Sequence, residues 1–442
     1  MTAVGAADRG GAGPGPPAGL HARCAPLEFG PDALQFDSSP TVLFDRPGLT
    51  LVGWGTAHLV TAHDAAAALA SIPCEDAVGC LGSGVVALGA LPFTDAMTGL
   101  LVIPRFTMGI ARDADGMTRR WATAVGPADA PLPTTDELFD AVIWQYGTTP
   151  EGDKDPAVAG LATAMTSAQY ATMVAEAVAA MEAPSATLRK VVLSRPITLE
   201  LDGPLHLAEV LRRLRAGEPN CAIFSMPVED GTFFGASPEL LVARHGPRVA
   251  AHPLAGTVAR GNTARRDADA QRDLARSAKN REEHRYVVEE IAATLAPWCA
   301  ELAVPDEPSL VAFRSVAHLG TRIEGQLRDA ATGILDLLAD LHPTPAVGGT
   351  PRAEALAYVD AHEAGDRGYW AGPVGWVGAA GDGEWMIGIR SASLAGETRL
   401  VSLRAGSGIV AGSEPGAEAA ETDVKLATVI EAVVPGGSVQ LR

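Results

Sequence analysis

The chain has only five cysteines, Cys24, Cys74, Cys80, Cys221 and Cys299, and no two of them form a Cys-x-x-Cys pair. No histidine stands at zinc-ligand spacing from any of them, so nothing in the cysteine pattern suggests zinc or a disulfide framework. Scattered thiols in odd number fit a reducing compartment. Positive charge is short as well: 34 Lys and Arg face 53 Asp and Glu, for a formal charge of -19. That balance argues against a nucleic-acid partner, and an anionic ligand needs a local cluster of Arg, Lys or metal against an unfavourable overall field. Long apolar runs are missing, and so is a basic region followed by an apolar stretch near the N-terminus. Neither a membrane span nor a secretion signal is therefore read, and a soluble cytoplasmic protein is expected. Gly82-Ser-Gly84 lacks the Gly-Lys-Ser/Thr that would make a phosphate loop, and no repeat of solenoid length occurs.

What is present is globular: 442 residues, 47% apolar and 20% charged, enough to bury a large core. Residues 1–31 are dominated by Gly, Ala and Pro, as in Gly10 to Pro17, and read as a disordered extension. Folded structure is expected from about Leu34, with strands at Thr41 to Phe44 and Leu49 to Val52 around the turn signal Asp45 to Gly48. Apolar strands follow at Gly84 to Leu88 and Gly99 to Ile103, and Asp113 to Asp155 reads as a long irregular connection. The capping box Thr166-x-x-Gln169 opens a helix to about Met181. Strands and helices then alternate: a strand at Lys190 to Ser194, a helix at Leu205 to Ala216, a strand at Cys221 to Met226. The Asp230-Gly231 hairpin signal and Leu240 to Ala243 continue the sheet. Asp267 to Trp298 is helical with a break near Lys279. Asp382-Gly383 separates Pro373 to Val377 from Trp385 to Ile389, and another strand covers Leu400 to Leu403. Hairpins mixed with packed helices predict an α+β fold with antiparallel sheets.

The densest chemistry lies between Ala405 and Lys425. A glycine turn, Ala405-Gly406-Ser407-Gly408, precedes a helix starting near Gly416. Glu418, Glu421 and Lys425 then share one helix face. That pattern serves either as an ordinary solvated surface or as oxygen ligands for a divalent cation beside an anion-binding lysine. Glu283, one turn before Val287 on another helix, is either a rim carboxylate or a further ligand. Lys190 opens an apolar strand: it either snorkels to water or, held in a cleft, becomes a general base. Glu239, in Gly235-Ala-Ser-Pro-Glu239, is a surface carboxylate or, if desolvated, a proton donor. Arg390 at a strand end is free in water or clamps a carboxylate. His318 and His342, each alone, are structural unless the fold gathers partners around them.

Several segments together resemble the chorismate-utilising enzymes, a family that includes isochorismate synthases, salicylate synthases and the synthase subunits for anthranilate and aminodeoxychorismate. They are Lys190-Val-Val-Leu-Ser-Arg195, Gly235 to Leu241, Pro253-Leu-Ala-Gly-Thr257, Lys279-Asn-Arg-Glu-Glu-His284, His342-Pro-Thr-Pro-Ala346, Ile389-Arg390, Ala405 to Val410 and Glu421-Thr-Asp-Val-Lys-Leu426. They fall in family order. The resemblance implies one large α+β domain, residues 32–442, with two antiparallel sheets surrounded by helices and a Mg2+-dependent site between them. It also implies Glu283 and Glu421 as metal ligands with Glu418 nearby, and Gly256, Thr257, His318, Ala346, Arg390, Gly406 and Lys425 on the substrate. Lys190 would be the base and Glu239 the acid in water attack at C2 of chorismate with loss of the C4 hydroxyl. Amide-dependent relatives place Gln at the Lys190 position, and salicylate synthases place Thr at the Ala346 position. Lysine with alanine is the isochorismate synthase combination, and a monomer without a glutaminase subunit is expected. Salicylate synthesis and a non-catalytic chorismate-binding protein are the competing readings. Asn280 stands where relatives often carry an acid, and Ala419-Ala420 where a bulkier residue is common.

Overall fold

A computed structural model describes residues 19–28, 40–112, 116–134, 136–137, 140, 155–396 and 398–436. Its central element is the strand Lys190–Leu201, whose Val191, Val192 and Leu193 are all buried, so both of its faces are covered. It runs antiparallel to Leu400–Val410, in register from Glu200 opposite Leu400 to Lys190 opposite Val410. From there the sheet continues through Ser391–Ala395, Gly231–Ser237, Ala222–Val228, Val42–Arg46 and Leu49–Thr61. Leu100–Arg112, Thr118–Pro127 and Leu20–Pro26 complete that path. Among the described residues the network holds 20 strands, and a separate three-stranded sheet is made of Leu254–Ala259, Val316–Gly320 and Ser309–Ala312. Every pairing is antiparallel except Ala22 to Cys24 beside Cys74 to Asp76. Two antiparallel sheets of unequal size, flanked by helices, bear out the α+β expectation.

Helices bury one face of this frame. Tyr170, Met173 and Val174 of the helix Ser167–Glu182 pack with Ala419 of Pro415–Val433 over Val191, Leu193 and Ile409. Further along, Val429 and Ile430 cover Ile197, Leu199 and Leu403. On another side, Val287, Ile291 and Leu295 of Ala278–Leu295 meet Leu338 and Trp385. Each such side chain contributes about 1.5–3 kcal/mol on leaving water. Local signals set the helix ends. Thr166 and Gln169 form the capping box, and Ser277 caps the second of two consecutive helices, so the break lies at Ser277. The Glu414 carboxylate accepts from the amides of Gly416 and Ala417 at the start of Pro415–Val433.

Four expectations need correction. The glycine turn at Ala405 to Gly408 is instead part of the long strand Leu400–Val410. Its glycines serve close approach: a methyl at Gly406 would lie 2.5 Å from the Leu193 carbonyl, and one at Gly408 would overlap Glu283 and sit 2.9 Å from Lys190 Cε. The N-terminal extension contains the strand Leu20–Pro26, which gains partners on both sides and buries Cys24 completely. The rest of residues 1–31 apart from 19–28, and Leu34, lie outside the described residues. The long connection after Asp113 contains the strand Thr118–Pro127, anchored by fully buried Trp121. The strand before Arg390 is Gly383–Ile387, which places Arg390 in the turn beyond it. No helix among the described residues is long and apolar enough to cross a membrane.

Candidate active site

Between the paired strands Lys190–Leu201 and Leu400–Val410, the Ser237 to Leu240 turn and the small sheet lies a cleft. Glu239, Gly256, Thr257, Glu283, His318, Ala346, Arg390, Gly406, Glu421 and Lys425 all line it. Lys190 and Glu418 stand just behind its surface, each touching carboxylates or lysines of the same cluster. The sequence thus named residues that the fold gathers from segments over 200 positions apart. It missed Trp370, Arg404 and Val347, which also line the cleft. Those three sit in segments with no charge pair or period to mark them.

Lys190 is 1% exposed, and its Nζ lies 3.2 Å from Glu283 Oε1. The two groups meet across Gly408, whose missing side chain leaves the room they occupy. Glu239 follows the strand Gly231–Ser237. Its amide donates to Ser237 Oγ at 3.3 Å, and its carbonyl accepts from the Ile387 amide at 3.0 Å. The carboxyl is fully enclosed and receives one backbone donor, Leu254, at 3.3 Å. Burial therefore outweighs the Leu254 amide and the positive charges of Lys190, Lys425 and Arg390, and pushes its pKa up to about 7. A carboxyl there is protonated in about half of the molecules at neutral pH and can give that proton away.

Arg390 occupies a left-handed backbone conformation, φ 51°, which costs a non-glycine residue about 1–3 kcal/mol. Ala236 donates to its carbonyl at 3.1 Å, and a methyl at Gly235 would lie 2.7 Å from that oxygen. The guanidinium lies 4.6 Å over Phe313, and Nη2 donates to His318 Nε2 at 2.7 Å, while Nη1 is buried without a partner. Burial, then Arg390 and Lys425, hold His318 well below its usual pKa, so it is neutral. Its Nε2 accepts from Arg390, so the proton is on Nδ1, 3.2 Å from both the Gly256 carbonyl and Thr257 Oγ1. Arg390 lines the cleft, and a guanidinium there is suited to a carboxylate. His342, by contrast, is structural: it bonds the Phe93 carbonyl at 2.9 Å and stacks edge-on against that ring. Asn280 packs its Cβ against Gly256, which has φ 67°.

The carboxylates are balanced by lysines in pairs. Glu283 faces Lys190, Glu421 faces Lys425 at 2.7 Å, and Glu418 faces Lys279. Lys425 also donates to the Gly406 carbonyl at 2.8 Å. Burial, then the charge of Glu421, raise the Glu418 pKa, with Glu283 adding to the effect, so the three carboxylates feel one another. Among the described residues no three His, Cys, Asp or Glu side chains form a ready cage for an ion. A few all-oxygen donors under mutual repulsion nevertheless suit Mg2+, which keeps several waters and takes one or two protein carboxylates.

The chain is similar to known proteins over most of its length. The family described as "Chorismate binding enzyme" matches residues 83–434. MenF of Mycobacterium tuberculosis is 37% identical over 359 residues, covering 80% of this chain and 87% of that protein. Isochorismate synthase DhbC of Bacillus subtilis is 42% identical over 254 residues, 56% of this chain and 63% of that one. The solved structure of MenF, the menaquinone-specific isochorismate synthase of Escherichia coli, superposes with a TM-score of 0.77 at 25% identity, covering 94% of this chain and 95% of that one. With the cleft, its arginine and its paired carboxylates in place, the chain belongs to the chorismate-binding enzyme family.

Proposed function

We propose that the chain is an isochorismate synthase, converting chorismate to isochorismate. The observation that carries this reading is that buried Lys190 and the enclosed carboxyl of Glu239, whose pKa burial pushes up to about 7, meet at one cleft. Water adds to C2 of chorismate while its proton passes to Lys190; the ring double bonds shift and the C4–O bond breaks. Glu239 delivers the proton that lets the hydroxyl leave as water, so one water enters and one departs. Arg390 and Lys425 hold the substrate carboxylates, with Thr257, His318 and the peptide at Gly256 and Gly406 shaping the remaining walls. Glu283 and Glu421 would hold Mg2+, with Glu418 behind them, and the cation would neutralise a substrate carboxylate within an acidic protein. Ala346 leaves the ring no hydroxyl beside it, which agrees with a reaction that stops at isochorismate.

Product analysis tests the assignment. Incubated with chorismate and Mg2+, the enzyme is expected to yield isochorismate on chromatography and no pyruvate in a lactate dehydrogenase coupled assay. Stoichiometric pyruvate without added lyase would identify a salicylate synthase, and no conversion at all would leave a binding protein.

The acid role also sets a pH dependence. Glu239 donates only when protonated, so kcat should fall about tenfold per pH unit as pH rises above about 7. A kcat profile that stays flat from pH 6 to 9 would remove Glu239 from that role.

A further inference from the structure

Of the three lysines that neutralise the carboxylate cluster, two are fixed. Lys190 is enclosed within the sheet, and Lys425 is tied to the Gly406 carbonyl as well as to Glu421. Lys279 is different. It is the second residue of the helix Ala278–Leu295, its side chain is one-third exposed, and its hydrogen-bond partner is Glu418, itself 3% exposed. The break at Ser277 turns the chain so that this side chain crosses to the first turn of the helix Pro415–Val433. Its ammonium can return to water along its own stem, while the carboxylate it leaves cannot. Glu418 would then face Glu421 and Glu283 with its charge uncompensated.

We propose that Lys279 is an internal counter-ion that sets the affinity of the carboxylate cluster for its divalent cation, occupying Glu418 when the cation is absent and yielding to it when it binds. The inference rests on the reading of Glu283 and Glu421 as the cation's holders. Lys279 acts on binding through Glu418, without touching the reacting atoms, and supplies the positive charge that lets three acidic groups share a small volume before the cation arrives. Its removal makes the cation-free protein less stable and the cation-bound form more favoured.

Binding of Mg2+ alone by isothermal titration calorimetry, and of Mn2+ alone by electron paramagnetic resonance, tests this on the full chain without substrate. Lys279→Met is expected to bind both ions about tenfold more tightly, to melt earlier in EDTA and to gain more in Tm on adding Mg2+. Lys279→Arg keeps the pair and should bind as wild type does. In an Glu418→Gln background, Lys279→Met should give no gain, because the two act as one unit. Unchanged or weaker binding by Lys279→Met, or an equal gain in the Glu418→Gln background, overturns the proposal while leaving the cation site standing. Absence of saturable cation binding by wild type overturns both, and product analysis judges the isochorismate synthase reading independently.

Discussion

Glu239→Gln is expected to lower turnover of chorismate by about 10²–10⁴-fold, the usual worth of a positioned proton donor, with little change in the unfolding midpoint. The amide keeps the shape of the side chain and can still accept from Leu254, and the backbone bonds to Ser237 and Ile387 do not involve the carboxyl. What it cannot do is supply a proton to the departing hydroxyl. Lys190→Gln should fall by a similar factor for the complementary reason: no amine remains to take the proton from water, although the new amide can still donate to Glu283. Steady-state assays with chorismate in excess, beside circular dichroism melts, measure both. Wild-type turnover in either variant would end the acid–base assignment.

Arg367→Met should cost about 3–5 kcal/mol of stability, because it breaks a buried ion pair and strands its partner. Arg367 and Glu363 are 3% and 2% exposed, and the guanidinium grips both carboxylate oxygens at 2.5 and 2.8 Å. Its other donors reach the carbonyls of Val347 at 2.7 Å and Val192 at 2.8 Å, and it lies over the rings of Phe93 and Trp370. After the change Glu363 retains only Ser194 and, at 3.4 Å, Arg404. Urea titration should show a large fall in midpoint. Adding Glu363→Gln to Arg367→Met should recover part of it, since the stranded charge is then gone. A loss below about 1 kcal/mol would mean that the pair is not the tie between the Lys190 strand and the Ala346 loop.

Much of the site was legible because its chemistry sits on residues whose neighbours in sequence already restrict them. Lys190 precedes three apolar residues, Glu239 follows a proline, and Glu418, Glu421 and Lys425 repeat at helical spacing. Element boundaries from Ser167 onward also followed local signals, such as the Thr166 capping box and the Asp230-Gly231 hairpin. What could not be read depends on distant chain. Gly406 and Gly408 look like a turn in isolation; only the approach of Leu193, Glu283 and Lys190 shows why a strand there must carry no side chains. Leu20–Pro26 has few strand-forming residues and is held by partners on both edges. The Lys279 to Glu418 pairing, joining two helices 139 positions apart, leaves no trace in either segment alone.

The antiparallel seam joining Lys190–Leu201 to Leu400–Val410 has a consequence for the order of synthesis. A nascent chain that has emerged only to residue 390 already carries Lys190, Glu239 and Glu283, yet the edge of its central strand is open and the helix bearing Glu421 and Lys425 does not exist. Such an edge invites pairing with other chains until the late strand arrives. Catalytic competence is therefore among the last things this polypeptide acquires.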